Sequence, residues 1–73
     1  MITIKEQLEA VARADTAIAH LAAHPSTSHS RLGAAHDQLN LVRNLSTRIE
    51  VFDAVMAIET SVLEVYGHIP THD

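Results

Sequence analysis

A chain of 73 residues has room for one domain, residues 1–73, and folds this short bury so small a share of their surface that the core needs support. The lack of cysteine excludes disulfides as that support and fits a reducing compartment, which leaves self-association. Net charge is −4 with histidine neutral, but residues 49–73 hold Glu50, Asp53, Glu59, Glu64 and Asp73 with no Lys or Arg, so the acidity is concentrated in the C-terminal third.

No stretch approaches the roughly 20 apolar residues that span a bilayer, and "MITIKEQLEA" becomes charged at its fifth residue, unlike a secretory leader. The expectation is a cytoplasmic protein with no membrane contact. Abundant Ala, Leu, Val and Ile, with two glycines and two prolines, predict an all-α fold.

Thr3 and Glu6 have capping-box spacing, which predicts a helix from Ile4. Ile4, Leu8, Val11, Ile18 and Ala22 form one apolar stripe on it, and Pro25 ends it, giving a helix over about residues 4–23. "HPSTSHS", residues 24–30, is the one clear loop, with Ser26, Ser28 and Ser30 all able to cap the next helix. Beyond it, Ala35, Val42, Ile49, Met56 and Leu63 recur every seven residues with no proline between them. That heptad predicts one long helix over about residues 30–66, stopped by Gly67 and Pro70. Thr47 and Glu50 send the competing signal: a second capping-box spacing, which would break the segment near 44–47 and give a three-helix bundle.

The first expectation is therefore an antiparallel helical hairpin. Its long arm projects about 24 Å beyond its mate. On that arm Val65, Ile58, Val51, Val62, Val55, Tyr66, Phe52, Leu63, Met56 and Ile49 sweep an arc of about 200°, twice the stripe a single neighbour covers. Two helices are needed to cover it, which predicts a homodimer forming a four-helix arrangement, a foreign protein partner, or both. Val51, Phe52, Val55, Ile58, Glu59, Val62 and Tyr66 are the candidate interface, flanked by an acidic strip of Glu50, Asp53 and Glu64 that would steer a basic partner. On this reading Ile58→Asp leaves the first helix folded and abolishes assembly.

Asp15 and Glu59 fall inside apolar seams, where an unpaired carboxylate costs several kcal/mol. His36 and Arg43 are the expected mates of Asp15, and Arg48 could reach Glu59 across a dimer, so that Asp15, His36, Arg43 and Arg48 set register. Among six histidines, His20 and His24 are four apart and His29 comes next in the loop, a weak metal pattern without the Glu of zinc-protease helices; His68 and His72 read as terminal surface. Arg31, Arg43 and Arg48 diverge and two aromatics are too few for base stacking, so nucleic acid is disfavoured.

No acid, base and nucleophile set is recognisable, and neither an enzyme nor a cofactor is expected. The leading expectation is a small non-enzymatic protein–protein interaction module that modulates or inhibits another protein, such as a regulator with a basic or DNA-binding surface. A bacteriophage or mobile-element origin would suit an inhibitor of this kind. The alternatives are a metal-responsive protein using His20 and His24, and an RNA-binding hairpin dimer.

Overall fold

In the computed structural model, which describes residues 1–68, the chain forms α1 (Ile4–Ala23), α2 (His29–Asn44) and α3 (Arg48–Tyr66), with no strand among the described residues. Pro70, His72 and Asp73 lie outside them. Each start is set by a hydroxyl. Thr3 Oγ1 accepts the Glu6 N–H at 3.1 Å, and the Glu6 carboxylate accepts the Thr3 N–H in return at 3.3 Å. Ser28 caps α2 by accepting the Arg31 N–H at 3.1 Å, and Thr47 caps α3 by accepting the Glu50 N–H at 3.4 Å. Gly67, at φ 78°, closes α3 in the left-handed region that favours glycine.

The long helix expected over residues 30–66 is instead two helices, and the hairpin is a three-helix bundle. Leu45 (φ −77°, ψ 150°) and Thr47 (φ −97°, ψ 142°) are extended, which reverses the chain between α2 and α3. The cap at Thr47 prevails over the heptad because the reversal lets α3 fold back and bury its apolar face, whereas a continuous helix would hold that face in water. The carbonyls freed at the end of α2 are taken from across the bundle. Gln7 Nε2 donates to the carbonyls of Val42 and Arg43 at 3.1 Å each and of Leu45 at 3.2 Å, and the Ile2 N–H donates to the Ser46 carbonyl at 2.8 Å.

The helices run up, down, up, and each packs on the other two. α1 and α3 are parallel neighbours: Glu6 meets Arg48, Arg13 meets Glu59 and His20 meets Tyr66 in succession. The core comprises Ala10, Ala14, Ala17, Ile18 and Leu21 of α1, Ala35, Leu39 and Val42 of α2, and Val51, Ala54, Val55, Ile58 and Val62 of α3, with Ile2 beneath.

The stripe expected for α1 is thus only partly inward: Ile18 lies in the core and Val11 packs against it, but Ile4 is 80% exposed and Leu8 66%, while the alanine row beside them is buried. Asp15 accounts for the choice. It lies on the Ile4/Leu8 stripe, and burying that stripe would take an unpaired carboxylate out of water at a cost of several kcal/mol. The row Ala10, Ala14, Ala17, Leu21 contains no charge, and its short side chains let two helices approach closely. Among the described residues, no helix is long and apolar enough to cross a membrane.

Candidate functional site

Val51, Val55, Ile58 and Val62, expected at an interface, are spent on the chain's own core. The two helices needed to cover their arc are α1 and α2. What the bundle leaves uncovered on α3 is the second half of the heptad, Ile49, Met56 and Leu63, at 76%, 57% and 46% exposure. A seven-residue repeat drifts about 20° per step around a straight helix. The stripe therefore winds towards α1 as it ascends, which accounts for the falling exposure. Phe52 lies half-buried beside it, packed on the core.

Along the α1 side of this stripe runs an open groove of about 270 Å³, lined by Ala12, Arg13, Thr16, Ala17 and His20 from α1 and by Glu59 and Val62 from α3. Short side chains on α1 make it concave. Its volume falls below the roughly 300–1,000 Å³ of small-molecule sites, and its open side would leave a ligand wet, so it suits a protein side chain better than a free metabolite.

Arg13 and Glu59 bridge the groove in a bidentate pair, Nη2 to Oε1 at 2.6 Å and Nε to Oε2 at 3.2 Å, with the Arg13 guanidinium 5.7 Å from the centre of the Phe52 ring. Arg13 is thus the mate of Glu59 within one chain, in place of Arg48 from a second copy. Sequence reasoning passed over it. The signal was available in the caps, since Arg13 lies ten residues after Thr3 and Glu59 twelve after Thr47, similar depths in parallel helices. Arg48 instead binds Glu6, Nε to Oε2 at 2.6 Å. That hydrogen bond first, and then those from the Thr3 backbone and hydroxyl, hold the Glu6 carboxyl below its ordinary pKa.

The remaining expected site residues are dispersed. Asp15, His36 and Arg43 are exposed, and no hydrogen bond or ion pair joins them among the described residues. In the acidic strip, Glu64 accepts from Arg31 at 2.9 Å, Glu50 accepts from the Thr47 hydroxyl, and Asp53 is exposed with no such mate among the described residues.

His20 and His24 surround Tyr66. Its hydroxyl donates to the His20 carbonyl at 2.7 Å, and the His24 ring stands edge-on to it at 4.5 Å, with the His20 and His68 rings each 6.3 Å away. His24 Nδ1 also accepts the Ser26 N–H at 3.1 Å, and His29 is exposed in the first turn of α2. Among the described residues, no group of three His, Asp or Glu side chains is arranged to hold a metal ion. Tyr66 ties the C-terminal end of α3 to α1, so Tyr66→Phe is expected to cost about 1 kcal/mol in urea unfolding, the net value of one half-buried hydrogen bond. A loss below about 0.3 kcal/mol would show that water replaces the bond.

No family model, curated protein or solved structure matches this chain.

Proposed function

We propose that the protein is a small non-enzymatic binding module that docks another protein on the outer face of α3 and thereby modulates it. The observation carrying this reading is the exposed heptad Ile49, Met56, Leu63 on a bundle whose core is already filled by other residues. An apolar row at helical spacing that the fold does not use is a seam awaiting a partner. Fully covering a large apolar side chain is worth about 1.5–3 kcal/mol. These three start half to three-quarters exposed and would supply on the order of 3–5 kcal/mol together, which corresponds to roughly millimolar affinity before association costs. Useful binding therefore also draws on the groove and on the charges beside the stripe.

Arg13, Arg31 and Arg48 are tied to Glu59, Glu64 and Glu6, leaving Lys5 and Arg43 as the lysine and arginine side chains outside ion pairs among the described residues. That is a poor phosphate-binding surface, and it favours a protein partner over RNA.

The test is site-directed photo-crosslinking in cell extract, with the reactive group at position 56 or at position 40 on the exposed side of α2, and then capture with Met56→Asp. A discrete protein labelled from position 56 alone, and no longer captured by Met56→Asp, is expected. The variant should melt within about 0.5 kcal/mol of wild type, as an exposed substitution does. Identical labelling from both positions would remove the reading.

A further inference from the structure

We infer that the occupant of the α3 face is a basic amphipathic helix of another protein, an identification that rests on the docking reading above. The inference comes from what the three inter-helix ion pairs leave over. Glu6, Glu59 and Glu64 each face an arginine. On α3 this leaves Glu50 and Asp53 without a cationic mate among the described residues, both exposed and both on the flank of the Ile49–Leu63 stripe that faces away from the groove. Glu64 continues that flank and is itself 60% exposed, so its carboxylate still presents an open side to water. The apolar seam therefore has one acidic margin about four turns long, with no base on α3 beyond Arg48 to neutralise it.

A second copy of the chain is a poor occupant for that margin. In an antiparallel pairing of two α3 helices about Met56, Ile49 meets the second copy's Leu63, but matching flanks face each other. Glu50 and Asp53 of one copy then approach Glu64 of the other, and juxtaposed like charges oppose association. A parallel pairing sets the acidic margin against the α1 side of the second copy, where Glu9 is exposed and Arg13 is already bound to Glu59. Lys5, four residues before Glu9, is the one base on that side outside an ion pair among the described residues, and Glu9 beside it offsets its charge.

A foreign helix with apolar residues at three- and four-residue steps and Lys or Arg along one edge satisfies both features. Its apolar row packs beside Ile49, Met56 and Leu63, one side chain enters the groove over Ala12 and Thr16, and its basic edge meets Asp53 and Glu50. From Ile49 to Leu63 the seam is about 21 Å long, the length of a helix of roughly 14 residues.

The experiment uses the full chain and two synthetic 18-residue helical peptides with the same leucine pattern, one edged with lysine and the other with glutamate. Amide chemical shifts locate and quantify binding to wild type and to Asp53→Lys, and light scattering reports the mass of the free chain. Asp53 is exposed and has no ion-pair mate among the described residues, so its replacement leaves the melting temperature near wild type. The lysine peptide is expected to perturb Ile49, Met56 and Leu63 and to bind at least about tenfold more tightly than its twin. Asp53→Lys should remove most of that preference, and added salt should weaken it. Equal binding of both peptides on this face would overturn the basic-helix assignment and keep the docking face. Absence of both peptides from the face would overturn the basic-helix assignment and the docking face together. A wild-type dimer made monomeric by Met56→Asp would assign the face to a second copy.

Discussion

Ile58→Asp is expected to abolish folding of all three helices rather than to strip one surface from a folded protein. Ile58 is 1% exposed and packed where α1, α2 and α3 meet. Removing its side chain costs on the order of 2–5 kcal/mol in lost packing. An unpaired carboxylate at the same place adds several more. A domain of this size holds about 4–11 kcal/mol in total. The helices, of 16–20 residues each, do not survive separately, because most helical stability in a protein comes from tertiary packing rather than from propensity. Circular dichroism should therefore show loss of most helix signal at room temperature, α1 included, with collapsed amide dispersion. Met56→Asp is the internal control: the same chemistry two residues earlier, on the exposed side of the same helix, should leave both spectra intact. A folded Ile58→Asp protein would mean that α3 does not occupy the centre of the bundle.

Gln7→Ala is expected to cost about 2 kcal/mol, an unusually large effect for a polar residue at the bundle's edge. Its amide is a donor for three carbonyls at the end of α2, those of Val42, Arg43 and Leu45, two of the bonds being partly shielded from water. Leaving half-buried carbonyls without a donor costs about 1–3 kcal/mol. The readout is the urea midpoint at unchanged slope, with Glu9→Ala, on the solvated side of α1, as a neutral comparison. A shift below about 0.5 kcal/mol would show that water enters the junction and takes over the carbonyls.

These two residues mark the boundary between what could be read from the sequence and what could not. The start of α1 was legible because it is local chemistry, a hydroxyl at Thr3 answering a backbone N–H three residues away, and the same signal at Thr47 was visible but outweighed by the heptad. Gly67 was legible for the same reason. The choice of faces was not. α1 carries two apolar rows, and Asp15 on one of them keeps that row from facing fully inward.

The heptad from Ala35 to Leu63 was misleading because it is continuous in sequence but not in space. Ala35 and Val42 point into the core, while Ile49, Met56 and Leu63 emerge outside it once the chain has reversed at Leu45–Thr47. The greasy arc that suggested an interface was real, but most of it is answered from within. The three residues that remain are those the heptad pattern named and the wheel did not separate from the rest. Glu59 belongs with Arg13, a pairing that becomes visible only when α1 and α3 are known to be parallel.

The latch formed by Ile2 and Gln7 on the α2–α3 junction has a consequence for the order in which the chain can be completed. α1 is made first, yet its opening turn has no fixed place until Leu45 and Ser46 exist to receive it. As a nascent chain lengthens, α2 can lie back along α1 early, through contacts close in sequence. The beginning of α1 must wait for the reversal that starts α3. The same few bonds then join the first residues to the joint between the last two helices, so this end of the molecule opens and closes as one cooperative unit.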